Sequence, residues 1–101
     1  MMTEFSYRLY KQGSEVLLAI SDAEILGKIF SEGEIELSVS EDFYAGKTCS
    51  SKQAIDLIKS STIVNAVGER IVDLLVSEEF IDKNRILSVS GVPHAQIIKL
   101  Q

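Results

Sequence analysis

The side chains able to do chemistry begin with one cysteine and one histidine. Cys49 and His94 can form a thiolate–imidazole pair for nucleophilic catalysis, because a neighbouring imidazolium lowers a thiol's pKa and generates the reactive anion. Their spacing does not show that they meet, and a cysteine among serines also serves as a small inert residue where a helix begins. Together they cannot supply the three or four ligands of a zinc site, and a single cysteine closes no intramolecular disulfide. The densest carboxylate group is Glu32, Glu34 and Glu36, followed by Glu41 and Asp42. Period-two spacing places the first three on one strand face, where oxygen ligands can gather around a hard cation. No EF-hand spacing or aspartate–glycine loop accompanies them, so the same residues read as a solvated face that discourages edge pairing. No metal and no cofactor is expected.

Gly91-Val92-Pro93-His94-Ala95 is the most distinctive local stretch. Proline fixes φ and biases Val92 toward extended geometry, and glycine permits a turn that other residues resist. A rigid loop built this way presents His94 for binding or proton transfer, or lets it satisfy loop carbonyls. Arg8 and Tyr10 share one face of an N-terminal strand with Lys11 next to them, an arrangement on which a nucleic-acid base can stack. Neither Gly27 nor Gly33 belongs to a phosphate-cradling glycine motif between strand and helix.

The chain that must position these groups has 101 residues, 46% of them hydrophobic and 25% charged, with one proline. That is one α+β domain, residues 1–101, able to bury a core. Ten basic against fifteen acidic residues leave a net charge of −5. The field of the whole molecule therefore opposes phosphate backbones and anionic membranes unless cations such as Arg8, Lys11, Lys28, Lys47, Arg85 or Lys99 cluster locally. No apolar run is long enough to span a bilayer, and no secretory leader is visible, so a cytoplasmic location is expected.

Alternation of Phe5, Tyr7 and Leu9 with polar partners marks a first strand, and the turn Gln12-Gly13-Ser14 joins it to a strand over Val16–Ile20. Ser21 and Glu24 have capping-box spacing for a short helical turn ending at Gly27. Ile35, Leu37 and Val39 predict a half-buried strand. Ser50 and Gln53 cap a helix ending near Ser60, and Ile63, Ala66, Val67, Ile71, Leu74 and Leu75 predict a second helix, with Gly68 inside it against a neighbouring backbone. Asp82-Lys83-Asn84 is a turn, and strands over Arg85–Val89 and Ala95–Leu100 close the chain. The expected fold is a mostly antiparallel sheet of about five strands with two main helices on one face.

The ordered set Tyr10-x-x-Gly13, Glu15 to Ile20 followed by Asp22, Leu26-Gly27-Lys28, Leu37-x-Val39, Phe43-Tyr44-x-Gly46, Asn65-x-Val67-Gly68 and Gly91-Val92-Pro93-His94-Ala95-Gln96 spans nearly the whole chain. It resembles the archaeal domain of unknown function 424 family. The resemblance implies an archaeal cytoplasmic protein of about this length and no known reaction, in a family sometimes labelled RNA-binding by inference.

The expected function is a non-enzymatic binding module tied to RNA or ribosome-associated components. Its contact surface is drawn from Phe43, Tyr44, Gly46, Asn65, Gly91, Pro93 and His94, with Arg8, Tyr10 and Lys11 as RNA contacts. One alternative is a small enzyme using His94 as acid or base with Cys49 or a carboxylate from Glu41, Asp42 or Asp22. Another is a homo-oligomeric interaction module, since a small apolar-rich domain often covers exposed sheet with a second copy.

Overall fold

The computed structural model describes residues 4–99. Strands β1 (Phe5–Gln12) and β2 (Glu15–Asp22) form the expected hairpin, paired from Phe5↔Asp22 to Gln12↔Glu15. Gly13, at φ +61°, takes the left-handed conformation that its two-residue turn requires. A single 3₁₀ turn at Ala23–Ile25 follows, without the expected capping box: Asp22 holds the N-cap position and makes no side-chain cap bond there.

The acidic segment is a hairpin and not one strand. β3 (Ile29–Glu32) and β4 (Ile35–Ser38) pair around Gly33-Glu34, so Glu32 and Glu36 lie on different strands and Glu34 in the turn. The face the three glutamates were expected to share does not exist. Among the described residues no group of three or more His, Cys, Asp and Glu is placed to hold a metal.

A four-residue helix α1 (Glu41–Tyr44) and a short strand β5 (Lys47–Cys49) lead into helix α2 (Ser51–Ser60). Here the expected capping box forms in full, with Ser50 Oγ accepting from the Gln53 amide at 3.3 Å and Gln53 Oε1 accepting from the Ser50 amide at 2.9 Å. The apolar stripe after it divides. Ile63–Val67 is strand β6, and only Glu69–Ser77 is helical, as α3. Gly68, at φ +122°, is the N-cap of α3 and not an interior residue. Ile63, Val64 and Val67 are β-branched and the strand is covered on both faces, so its apolar run carries no alternation to separate it from a helix.

After a 3₁₀ turn at Lys83–Arg85, β7 (Leu87–Val89) and β8 (Val92–Ile98) form the closing hairpin. Its turn is only Ser90-Gly91, both with positive φ. Val92, Pro93 and His94 are therefore strand residues rather than a loop, and the expected strand start at Ala95 moves three residues earlier. Leu100, where that strand was expected to end, lies outside the described residues.

The main sheet is mixed and six-stranded, in the order β5-β1-β2-β6-β8-β7, with β2 and β6 parallel and every other pair antiparallel. The parallel pair follows from the return of the chain through α2, a crossover that a hairpin cannot make. This corrects the mostly antiparallel five-stranded expectation. Helices α2 and α3 cover one face over a core of Phe5, Leu18, Ile20, Ile58, Val64, Ile71 and Leu75. The β3–β4 hairpin and α1 cover part of the other, over Ala19, Val39, Tyr44 and Val67. The expectation of one covered face overlooked this second cluster.

Candidate functional site

Strand register decides which of the candidate residues meet. On the face opposite α2 and α3, paired positions line up across four strands. Tyr10, Leu17, Ile63 and Ile98 make one row; Arg8, Ala19, Asn65 and Gln96 the next; Ser6, Ser21, Val67 and His94 the third. The third row lies beneath the hairpin and α1, where Val67 and Ser21 are fully buried. The first row is open at its β8 end, with Ile98 63% exposed.

Asn65 and His94 sit diagonally across the β6–β8 pair, and His94 Nε2 lies 2.6 Å from Asn65 Oδ1. An amide oxygen accepts only, so the imidazole donates and its proton rests on Nε2. Tyr44 Oη donates to the same oxygen at 3.5 Å. The phenol is buried, which pushes its pKa up to about 12 and keeps it a donor at neutral pH. Burial also lowers the His94 pKa from its ordinary value, favouring the neutral ring this bond requires. Among the described residues no hydrogen bond engages Asn65 Nδ2 or His94 Nδ1, and both residues are half-buried. Exposed Gln96 adds a second amide beside Asn65.

The remaining candidates are structural neighbours of this cluster. Phe43 stacks on Tyr10 at 5.3 Å between centroids and meets Tyr44 edge-on at 4.9 Å. Tyr10 Oη donates to the Phe43 carbonyl at 2.8 Å, and Arg8 donates to the Asp42 carbonyl at 3.0 Å while lying 5.7 Å from the centre of the Tyr10 ring. Phe43 thus stacks on a ring that Arg8 also approaches, and these groups clamp α1 to β1. Lys11 alternates onto the other face of β1, away from Arg8 and Tyr10. Gly46 passes so close to β1 that a Cβ there would fall 3.0 Å from the Tyr7 carbonyl oxygen. Gly91 lies in the turn. The Pro93 carbonyl accepts the Gly68 amide at 3.0 Å, so proline serves the sheet rather than a rigid loop.

Two of the partners considered for acid–base or nucleophilic use of His94, Cys49 and Asp22, are elsewhere. Cys49 belongs to the core on the helix side of β5, about 19 Å from β8 at four strand spacings. Burial, reinforced by the charge of Glu4, pushes its thiol up to about 11, the opposite of an activated nucleophile. Asp22 also points to the helix side. Its Oδ2 and Oδ1 accept the Arg70 and Ile71 amides at 2.9 and 2.8 Å, so the carboxylate caps α3 from a neighbouring strand. That carboxylate fills the place an anionic ligand would take above the strand–glycine–helix junction, and a Cβ at Gly68 would fall 2.6 Å from its Oδ2. Arg70, carrying Glu24 and Glu4 as ion partners, stacks over Phe5 at 5.2 Å and completes the junction. Sequence reasoning missed this capping role; the one local signal is Gly68 directly before a helix.

A family model described as protein of unknown function (DUF424) matches residues 10–100. The chain belongs to this family. The matched DUF424 region contains every candidate described above except Arg8. The chain is also similar to a crystal structure of an uncharacterized conserved protein from Methanopyrus kandleri, an archaeon, at 25% identity and a TM-score of 0.81, covering 97% of this chain and 95% of that one. No curated protein matches this DUF424 chain. No helix among its described residues is long and apolar enough to cross a membrane.

Proposed function

We propose that this DUF424 chain is a non-enzymatic binding module whose contact surface is the sheet face around Asn65 and His94, and that its partner is RNA presenting unpaired bases. The observation that carries the reading is the Asn65–His94 bond. It fixes both side chains and leaves an amide N–H₂ donor and a ring-nitrogen acceptor without partners among the described residues. Gln96 extends this polar row, and the adjoining Leu17–Ile63–Ile98 row offers an apolar floor on which a flat ring can rest. Donors and acceptors beside such a floor suit the edges of a splayed-out base. The aromatic pair Tyr10 and Phe43 does not serve as the stacking platform, because the two rings already stack on each other.

The acidic field of the molecule limits contact to few phosphates, with Arg8 the cation that shares the Asn65–Gln96 row. Binding should therefore depend weakly on salt, with a logarithmic slope of about −0.7 to −1.4 for one or two single-strand phosphates. Fluorescence anisotropy with short oligouridylate and oligoadenylate at low and physiological salt tests the reading. Asn65→Ala and His94→Ala should each weaken binding about fivefold, a loss of roughly 1 kcal/mol. Absence of binding at low salt, or a steep slope unaffected by either substitution, overturns it.

A further inference from the structure

The chain covers each edge of the sheet only in part, β8 by β7 and β1 by β5, and the β1 edge is the one that gathers cations. β5 pairs with β1 only at Phe5, Ser6 and Tyr7, while β1 runs on to Gln12. Gly46 still lies beside Arg8, but from Leu9 to Gln12 β1 is paired on its β2 side alone, so alternate backbone N–H and C=O groups over about 14 Å of edge face outward. Leu9, Lys11 and Gln12 are all exposed there. The groove beside this edge, about 550 Å³, is lined by Tyr7, Arg8, Leu9, Lys11, Lys47 and the Ala45–Gly46 backbone, with no carboxylate among its lining residues. Three of the chain's ten basic residues thus gather on one edge of a molecule with net charge −5.

We propose that this edge accepts an extended acidic peptide segment of a partner protein as an added β-strand, in line with β5 and antiparallel to β1. Backbone pairing supplies the register, and the side chains supply the choice of partner. Residues directly opposite each other share a sheet face. Gly46 already lies opposite Arg8, where the Tyr7↔Lys47 pairing continues and a Cβ would fall 3.4 Å from the Arg8 side chain, so the free positions begin at Leu9. The incoming segment therefore needs an acidic residue opposite Lys11, any residue opposite Tyr10 and an apolar residue opposite Leu9. Read from its N-terminus, the motif is acidic, any, apolar. The same charges argue against a second copy of this chain, because antiparallel pairing of two β1 edges brings Lys11 of both copies onto one short ladder. This site, Leu9 to Gln12, lies on the strand edge and does not include Arg8, the cation of the Asn65–His94 face.

The test uses the full chain labelled with ¹⁵N, an acidic peptide Ser-Glu-Thr-Val-Ser, and its counterpart Ser-Lys-Thr-Val-Ser. The acidic peptide should shift the amide resonances of Leu9 to Gln12 and slow their hydrogen exchange, and should bind about tenfold more tightly than the lysine peptide. Lys11→Glu is exposed and should leave the spectrum folded while inverting the peptide preference. Equal binding of both peptides, or shifts confined to the Asn65–His94 face, overturns the proposal. So do larger shifts at Leu9–Gln12 with oligouridylate, which would assign the edge to nucleic acid, and concentration-dependent broadening there without peptide, which would assign it to self-pairing.

Discussion

At the scale of single residues, the position that tolerates least is Gly68. Its φ of +122° is a conformation L side chains resist, and the space a Cβ needs is occupied by the Asp22 carboxylate. Gly68→Ala should therefore cost about 3 kcal/mol, combining backbone strain with displacement of a cap that serves two amides. Chemical denaturation of Gly68→Ala against Asp22→Ala checks the origin of the loss. Asp22→Ala removes the cap without strain and should cost about 2 kcal/mol, while the double variant should cost less than the sum, since the clash disappears with the carboxylate. A strictly additive double variant would mean that Gly68 is constrained by its backbone alone. Ser21 illustrates the opposite case: its hydroxyl is fully buried with no hydrogen-bond partner among the described residues, and nothing in the structure explains it.

At the scale of elements, what the sequence made legible follows the range of the interaction that formed it. The Ser50–Gln53 box and the β1–β2 hairpin were readable because their determinants lie a few residues apart. α1 is one turn long and shows no period, and β3 has one half-buried residue, Phe30, among exposed neighbours. β6 was misread because i, i+3 and i+4 spacing of Ile63, Ala66 and Val67 fits a helix as well as a strand buried on both sides. The Asn65–His94 contact was invisible for a further reason: both residues were candidates, but only the β6–β8 register brings them together. The β3–β4 hairpin rests on the sheet through Phe30, Leu37 and Val39, with backbone bonds Gly27–Val39 and Val39–Lys28 at its base and the Ser90 amide donating to Glu32. Sparse attachment of this kind sets local stability. Hydrogen exchange should be fastest in β3 and β4 and slowest in β2 and β6. Val39→Ala, expected to cost about 2 kcal/mol, should accelerate the hairpin before the central strands. Uniform acceleration would show that the hairpin and the sheet open as one unit.

At the scale of the whole molecule, buried Asp22 and half-buried His94, on opposite faces of the sheet, give stability a pH dependence of opposing signs between neutrality and acid. His94 has a folded pKa below its ordinary 6.5, because burial penalises the imidazolium. As pH falls through that window the unfolded chain takes up the proton first, so the contribution of His94 to stability, full above 6.5, is lost. Asp22 has a folded pKa above its ordinary 3.8, because burial outweighs the Arg70 and Ile71 amides that favour its charge. Here the folded state takes up the proton first, so the contribution of Asp22 is greatest below 3.8 and is lost as pH rises through the folded value. Glu24 titrates in the same acid range with the usual carboxylate sign, its pKa held down by Arg70, but it is largely exposed and solvent screens it. Difference measurements separate these contributions without a complete account of the others. Relative to His94→Gln, the wild-type chain should lose stability as pH is lowered from neutrality through 6.5, and relative to Asp22→Asn it should gain stability as pH is lowered toward 3.8. Thermal unfolding of the three chains across that range checks both signs. A wild-type curve parallel to His94→Gln would mean that the imidazole is not held neutral by its setting, and with it would go the Nε2 proton assignment on which the proposed binding face rests.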